Sequence, residues 1–433
     1  MNYFDSKIPW IQKLPYSWKI VPLFFVADEN KTKNKNQNEN VLSLSYGKII
    51  KRDLSKNFGL LPKNFDAYQE VDKGFIIIRS TDLQNDKKSL RVGLAKENGV
   101  ITSAYIGLSP KSNIYPDYLF YYLNMCDLKK VFYSLGGGLR QSLRFEEFRR
   151  FPVILPSLNE QKLISFYLDK KTEKIDFLIK KIEKKIKLLK EQRTAIINEY
   201  VTKGLDQSVD MRNSGIEWIG EIPQDWVTNK LKNVATIEFS SIDRHQYKEE
   251  RRVSICHYPD AYKNEYIHKE TKLSFGTCSD YEFDKFSLQK GDIVLTKDSE
   301  SPDDIGIPTF VLDELSNTVC GYHLSLIRVK NNLLSPEFLY RFIESKCSKD
   351  YFFISSNGIT RYGLGKSSIG SLVVPFPRKD MQEEIIKRIR KISKFTEKSI
   401  FLLKNKISLL KEYRQSLISS AVTGKIQITE DML

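Results

Sequence analysis

The chain contains one element twice: IPWIQKLPYSWKIVPL at residues 8–23 and IEWIGEIPQDWVTNKL at residues 216–231. Each copy carries two tryptophans eight positions apart: Trp10 and Trp18, then Trp218 and Trp226. The 433 residues contain no other tryptophan. The two copies align at an offset of 208 and predict an internal repeat, which has to be recognised before single elements are assigned.

The repeat extends along the whole chain. VDKGFIII at residues 71–78 parallels LQKGDIVL at residues 288–295, and farther on the offset settles at 221, which matches Gln161 with Gln382. Runs such as GFIIIRS and GDIVLT are rich in β-branched residues and follow glycine turns, as strands do. The sequence pattern of each half therefore predicts a mixed α/β globule.

A long helix follows each globule. Residues 159–203 contain neither proline nor glycine, and apolar residues recur there every seven positions. Sustained heptads predict a coiled coil, although a long surface helix packed on a globule remains the alternative. Antiparallel pairing fits the connectivity, because parallel pairing would need a return path of about 66 Å. The predicted core positions are Leu168, Ile175, Ile182, Leu189, Ile196, Ile389, Leu403, Leu410 and Leu417.

The predicted fold class is α+β: two mixed α/β domains separated by two long helices that form an antiparallel coiled coil, with a pseudo-two-fold internal repeat. The predicted domains are residues 1–158 and 205–379. The predicted helices are residues 159–204 and 380–425, and residues 426–433 form an acidic C-terminal tail.

Two kinds of large side chain have expected structural roles. The four tryptophans should pack in cores or against the helices rather than stack on bases, because buried indoles contribute strongly to stability. Arg193 and Arg414 fall at the edge of the heptad core. We expect them to pair between the helices with Glu412 and Glu191, respectively.

The charge is uneven. The net charge is +15, from 69 basic and 54 acidic side chains. Residues 1–159 carry +9 and the two helices (160–204 and 382–425) carry +5 and +7, whereas residues 205–381 carry −4. A basic total of this size makes a polyanion the first candidate partner. A lysine-rich helix face is equally expected as solvated surface.

Catalytic motifs are missing from the sequence. The four histidines lack metal-ligand spacing, and the five cysteines are scattered without a CxxC pair, which indicates free thiols. GLGKSS at residues 363–368 fails as a phosphate loop, because Thr360 stands where the first glycine is needed. We therefore expect no metal, no cofactor and no active site on this chain.

The sequence also predicts a location. No apolar run approaches the roughly 18 residues of a membrane span. The first residues lack the basic and apolar regions of a signal peptide. We expect a cytoplasmic protein that does not contact membranes.

Three segments resemble a known family. SGIEWIGEIPQDW at residues 214–226 resembles the opening of a target-recognition domain in specificity subunits of type I restriction–modification enzymes. LPSLNEQKLI (155–164) and KEQRTAIINEYVTKGL (190–205) resemble the start and end of their conserved helices. The order globule, helix, globule, helix covers essentially the whole chain. The second helix departs from the pattern, with Met381-Gln382 where the first has Glu160-Gln161.

The resemblance implies a function. The chain would be the non-catalytic subunit that selects a bipartite target on double-stranded DNA, with one half-site per target-recognition domain and a spacer set by the coiled coil. Two modification subunits would bind it and methylate adenine with S-adenosylmethionine. Restriction (translocase/nuclease) subunits would add translocation and cleavage driven by ATP and Mg²⁺.

Basic residues in the variable loops are the candidates for DNA contact, although each could instead be solvated surface. They are Lys48, Lys51, Arg52, Arg79, Arg140, Arg144, Arg244, Arg251, Arg252, Lys297, Arg361 and Lys366. Three other hypotheses stay open: a stand-alone or decoy DNA-binding protein without enzymatic partners, an enzyme with its own active site, and a purely structural coiled-coil linker.

Overall fold

The chain forms two compact units in a computed structural model, which describes residues 2–35, 38–54, 62, 64–83, 90–135, 142–206, 208–330 and 332–433. Unit 1 contains Met1–Glu183 and Lys404–Leu433, and unit 2 contains Lys184–Leu403. Each unit therefore combines one globule with parts of both long helices.

Unit 1 is built from short strands and a few helices. Its strands are β1 (Tyr3–Ile8), β2 (Ile11–Pro15), β3 (Lys19–Pro22), β4 (Ala27–Asn30), β5 (Leu42–Ser45), β6 (Lys48–Lys51), β7 (Gln69–Val71), β8 (Ile76–Ile78), β9 (Val92–Leu94), β10 (Gly99–Ile101), β11 (Ile106–Pro110) and β12 (Pro152–Leu155). Its helices are α1 (Pro116–Leu128), α2 (Phe145–Phe148) and the first part of α3 (Leu158–Lys203).

The centre of unit 1 is an antiparallel sheet whose described strands follow the order β4-β11-β8-β9. Strand β8 is buried on both faces. Ile76 and Ile78 pack into the main core with α1, whereas Ile77 points to a smaller cluster with Leu42 and Val71. Successive strand residues alternate between faces, which explains why GFIIIRS is a continuous apolar run.

Unit 2 repeats this plan with additions. Its strands are β13 (Met211–Asn213), β14 (Glu221–Pro223), β15 (Val227–Lys230), β16 (Ala235–Phe239), β17 (Arg251–Cys256), β18 (Tyr266–Ile267), β19 (Ser274–Cys278), β20 (Ile293–Thr296), β21 (Asp298–Ser299), β22 (Pro308–Val311), β23 (Thr318–Cys320), β24 (Leu324–Val329), β25 (Tyr362–Gly363) and β26 (Val373–Phe376). Its helices are α4 (Leu231–Val234), α5 (Tyr258–Lys263), α6 (Asp280–Phe286), α7 (Pro336–Glu344), α8 (Lys346–Ser355), α9 (Lys366–Ser371) and the first part of α10 (Lys379–Val422).

The larger sheet of unit 2 repeats the strand order of the central sheet of unit 1 and adds one strand, and unit 2 also has a second, smaller sheet. The larger one follows the order β16-β24-β20-β22-β18, and a smaller one follows β19-β17-β23. Strand β20, which is buried in the larger sheet, has side chains in two cores, as β8 does in unit 1. Ile293 and Leu295 face one core, and Val294 faces the other.

Strand register confirms the internal repeat. Tyr3 pairs with Pro15 in unit 1, and Met211 pairs with Pro223 at the equivalent positions of unit 2. The pairing of β3 with β12 recurs as that of β15 with β26. The pairings of β3 with β12 and of β15 with β26 join strands that are far apart in sequence, so the predicted fold class is confirmed at the level of topology.

Each unit also holds the beginning of one long helix beside the end of the other, as antiparallel pairing requires. In unit 1, Asp176 of α3 lies 3.2 Å from Arg414 of α10. In unit 2, Arg193 donates a 3.0 Å hydrogen bond to Ser393. Among the predicted core positions, Leu168, Ile175, Ile182, Ile389 and Leu417 are buried, and Leu189, Ile196, Leu403 and Leu410 are half-buried.

The predicted partners of Arg193 and Arg414 were wrong. Arg193 forms ion pairs with Glu265 and Glu344, both at 2.7 Å, in the globule of unit 2. Antiparallel pairing places Arg193 opposite Ser393, well before Glu412 in the sequence. Burial alone would raise the pKa of Glu344, but the guanidinium groups of Arg341 and Arg193 outweigh it and hold this pKa below its ordinary value.

The repeated tryptophan element packs against the end of a long helix. Gly204 follows α3 with φ +80°, and a Cβ on it would lie 3.4 Å from the Trp226 ring. Gly424 follows α10 with φ +69°, and a Cβ there would lie 2.6 Å from Pro15 and 3.1 Å from Trp18. A left-handed glycine ends each helix because its backbone must turn beside these rings. Trp18 and Trp226 are buried, whereas Trp10 and Trp218 are half-buried.

The C-terminal segment also belongs to unit 1. The side chains of Ile426, Ile428, Met432 and Leu433 pack against the main core of that unit. In the described part of the chain, no helix is both long and apolar enough to cross a membrane.

A buried glutamine joins each long helix to its globule. The Gln161 side chain accepts a hydrogen bond from the Tyr115 N–H at 2.7 Å and donates one to the Pro156 carbonyl at 2.9 Å. The equivalent Gln382 accepts from the Ser335 N–H at 2.7 Å and donates to the Pro377 carbonyl at 2.8 Å. Tyr115 and Ser335 are the residues before α1 and α7, so the same contact recurs in both units.

Gln161→Leu is expected to destabilise unit 1 by about 1–3 kcal/mol, because it leaves buried backbone groups without hydrogen-bond partners. The urea midpoint, followed by tryptophan fluorescence, measures this loss. Gln415→Leu, the same change at an exposed position of α10, is the control and should leave the midpoint within error. Equal midpoints for the two variants would contradict the assigned role of Gln161.

Candidate nucleic-acid interface

In unit 1, basic side chains lie on a hairpin. Lys48 and Lys51 belong to β6, which pairs with β5 through the turn at Tyr46 and Gly47. The Tyr46 side chain at this turn is 85% exposed. Lys48 lies 3.6 Å from Asp176 of α3, an ion pair that is open to solvent. The hairpin therefore presents an aromatic ring at its turn and two lysines on the strand that follows, a combination that suits contact with nucleic acid.

The other unit 1 candidates occupy separate segments. Arg52 directly follows the hairpin, and its N–H donates to the Val41 carbonyl. Arg79 lies 4.0 Å from Asp82. The Leu143 N–H donates to the Ser80 carbonyl at 2.8 Å, so the segments that carry Arg79 and Arg144 adjoin. Arg140 lies outside the described residues.

In unit 2, two arginines of β17 stack on aromatic rings. The Arg251 guanidinium lies 3.4 Å from the centroid of Phe283 and donates to the Asn317 side chain at 3.0 Å. The Arg252 guanidinium lies 5.9 Å from the centroid of Phe275, a phenylalanine that is 67% exposed. Such stacking holds the arginines in place and leaves their charge available to solvent and to phosphates.

Arg244 lies beside the same phenylalanine. Together with Phe275, His257 and Asp260, it lines an open cleft of about 420 Å³. Burial and the positive charge of Arg244 lower the pKa of His257. His257 therefore stays neutral at neutral pH and can donate or accept a hydrogen bond in the cleft.

The remaining candidates of unit 2 lie elsewhere. Lys297 and Arg361 meet at one cluster with His323, whose ring nitrogens both lie 3.4 Å from an Arg361 nitrogen. Lys366, at the start of α9, forms a 3.1 Å ion pair with Glu238. The structure thus brings Arg244 and Arg252 to the same side chain, Phe275, whereas Arg251 stacks on Phe283, and it places Lys297 and Arg361 together at His323. Lys366 belongs to neither group.

Sequence reasoning missed several members of these groups. Phe275 and Phe283 lie in strand-like and helix-like runs that resemble core sequence, and nothing in the pattern marks them as supports for arginines. His323 has a left-handed backbone with φ +70°, which is uncommon for a residue other than glycine. Its position in the cluster depends on long-range pairing that the sequence does not display.

One group of described residues could hold a metal ion. His268, Glu270 and Asp313 of unit 2 each offer one ligand atom, and these atoms lie within 4.8 Å of one another. Glu270 is exposed, and the other two are half-buried. Groups of this kind are common on protein surfaces, and the arginine clusters do not depend on it.

Comparison with known proteins identifies the family. A sequence profile described as "Type I restriction modification DNA specificity domain" matches residues 18–188 and 223–410. The MjaVIII type I specificity subunit of Methanocaldococcus jannaschii is 25% identical over 338 residues, 77% of this chain and 75% of that protein. The StySPI specificity subunit of Salmonella potsdam is 23% identical over 96% of this chain and 90% of that protein.

A solved structure shares the fold. Its description concerns complex assembly and conformational transition of the type I R-M system. The TM-score is 0.69 at 12% sequence identity, and the match covers 95% of this chain and 99% of that one. At this identity, the likeness shows a shared architecture.

Arg251→Ala and Arg252→Ala are each expected to weaken binding to duplex DNA without destabilising unit 2. The slope of log K against log salt concentration is negative, and a lost phosphate contact reduces its magnitude by about 0.9. Fluorescence anisotropy over a salt series measures both the affinity and the slope. Arg378→Ala, which removes an exposed charge paired with Asp380, is the control; an equal loss in that variant would point to net charge rather than to the stacked arginines.

Proposed function

Because this chain belongs to the family of type I restriction modification DNA specificity domains, we propose that it selects the DNA target of a type I restriction–modification complex. The observation that carries the proposal is the repeated unit: the same strand pairing occurs twice, and each copy exposes a different set of basic and aromatic side chains. Base reading requires side chains at the groove, whereas phosphate contacts fix their position.

The two copies support a bipartite target with unlike half-sites. Unit 1 offers the hairpin with Lys48 and Lys51, and unit 2 offers Arg251 and Arg252 on a strand. A single globule can read only a few base pairs. Two different surfaces on one repeated framework therefore suit two different short sequences.

The long helices suit a role in spacing. The chain passes from unit 1 into unit 2 within α3 and returns within α10. The two helices contain 46 and 44 residues, or about 69 and 66 Å at 1.5 Å per residue. We infer that their length sets the number of unread base pairs between the half-sites.

Exposed apolar side chains on the helices support docking of modification subunits. Leu188 is 53% exposed and Leu409 is 64% exposed, and the two positions are equivalent in the repeat. Equivalent leucines suit two copies of one partner, because each copy can use the same surface. Larger exposed apolar side chains are also present on these helices: Phe166, Phe177, Phe395, Phe401 and Tyr413.

In this proposal, the chemistry lies on the partners. Modification subunits supply S-adenosylmethionine-dependent methylation of adenine, and restriction subunits supply translocation and cleavage that use ATP and Mg²⁺. The chain contributes recognition and docking. The alternative of a stand-alone or decoy DNA-binding protein is favoured only if no methyltransferase subunit co-purifies.

Leu188→Glu and Leu409→Glu are each expected to remove one modification subunit from the purified complex, and the double variant should remove both. Native mass measurement after co-expression with the methyltransferase subunit counts the copies bound. The control Ser408→Glu adds the same charge beside Leu409 and should keep two copies. Retention of both copies by the double variant would refute this docking surface.

Removing one matched heptad from each helix, Lys181–Lys187 and Leu402–Ser408, should shorten the spacer by about three base pairs. Seven residues rise about 10.5 Å, and base pairs lie about 3.4 Å apart. Methylation-site sequencing of cells that express the complex gives the half-sites and the spacer separately. The same deletion in α3 alone mismatches the helices and should abolish methylation. Altered half-sites with an unchanged spacer would contradict the proposed role of the helices.

A further inference from the structure

The cluster around His323 joins three segments of unit 2. Oδ2 of Asp298 accepts hydrogen bonds from Lys297 Nζ at 2.7 Å and from His323 Nδ1 at 2.6 Å. Nη2 of Arg361 lies 3.4 Å from both ring nitrogens of His323. The Lys297, Asp298 and His323 side chains are largely buried, whereas Arg361 is exposed. The three largely buried side chains therefore form a base on which the exposed guanidinium group of Arg361 rests, through its contact with His323.

The loop that carries Arg361 is closed and anchored. Asn357 and Gly363 exchange both backbone hydrogen bonds, at 3.1 and 2.9 Å. Gly358 has φ +149°, and a Cβ on it would lie 2.0 Å from the Arg361 carbonyl oxygen, so only glycine fits. Gly363 pairs with Asp298 between β25 and β21. The loop is thus tied to the strand that holds the acidic member of the cluster.

His323 has a defined orientation. Its backbone is left-handed, and its carbonyl accepts a hydrogen bond from the Lys297 N–H at 3.2 Å. Nδ1 lies 2.6 Å from Oδ2 of Asp298, and this contact fixes the orientation of the ring beside Arg361. The Tyr322 ring lies 4.0 Å from the imidazole, centroid to centroid, and covers it on one side. A non-glycine residue keeps such a backbone only where its surroundings enforce it.

Charge is distributed unequally in the cluster. Burial alone would raise the pKa of Asp298, but Lys297 and His323 outweigh it and hold this pKa below its ordinary value. Asp298 therefore stays ionised and neutralises Lys297. Among the described residues, no carboxylate forms an ion pair with Arg361. The His323 ring contacts the planar guanidinium group of Arg361. The Arg361 side chain is exposed, so its charge and its remaining N–H donors are available to a ligand.

We propose that Arg361 reads a guanine of the half-site bound by unit 2, with His323 and Asp298 as positioning residues. This inference rests on the proposed function. An arginine fork donates to O6 and N7 of guanine in the major groove, which is the commonest base-specific contact. A phosphate needs only charge, whereas a base edge needs an oriented planar donor, and the ring and the closed loop supply that orientation.

The test uses the purified full-length chain and a random-sequence DNA duplex library, with bound duplexes sequenced after selection. Arg361→Lys keeps the charge and removes the fork. It should lower the preference for guanine at one position of one half-site by about tenfold or more, and leave the other half-site unchanged. Arg378→Lys, the same change at an exposed site paired with Asp380, should alter nothing.

The positioning role has its own variant. His323→Asn tolerates the left-handed backbone and removes the ring. It should weaken the preference for guanine at the same position as Arg361→Lys, but by less, with an unchanged melting temperature. A change in overall affinity without a change at that position would show a merely structural role and refute the assignment of His323.

The remaining outcomes are distinct. A wild-type bipartite motif that persists unchanged in Arg361→Lys overturns the inference and leaves the proposed function standing. If Arg361→Ala, but not Arg361→Lys, weakens binding equally for all sequences, Arg361 contacts a phosphate and the inference is wrong. If the wild-type chain enriches no motif, the proposed function fails and the inference fails with it.

Discussion

The hydrogen bonds of one buried glutamine constrain each half of this protein. Gln161 and Gln382 are fully buried, and each links the start of a long helix to the backbone just before α1 or α7. A buried backbone N–H without a partner costs about 1–3 kcal/mol, so the helix can start in only one place relative to its globule. The residue before the glutamine is free to differ: Glu160 accepts a hydrogen bond from the Trp18 indole, whereas Met381 packs on the core.

This arrangement separates a constant framework from variable surfaces. Strands β8 and β20 are covered on both faces, so their apolar residues are constrained by packing on each side. Loops and hairpins at the surface face no such constraint. They differ between the units: lysines beside a tyrosine in one, and arginines stacked on phenylalanines in the other. A protein built to recognise different sequences with one framework needs this division.

The repeat and the antiparallel helices could be predicted because they depend on local or periodic signals. Matching tryptophans, matching glutamines and seven-residue spacing are visible in one dimension. The partners of Arg193 could not be predicted, because Glu265 and Glu344 lie far along the chain and pair with it only after unit 2 has folded. Heptad spacing places Arg193 at a core edge but does not indicate which neighbouring globule supplies its carboxylates.

The sequence by itself determined that there are two similar globules, where the long helices run, and which family the chain resembles. The tertiary structure alone decided which basic residues lie together. Arg252 gains its support from Phe275 through the pairing of β17 with β19, and Arg361 meets His323 and Asp298 through the pairing of β21 with β25. The physical reason is that burial patterns repeat at fixed spacing, whereas a recognition surface is assembled from segments whose contact requires the closed fold.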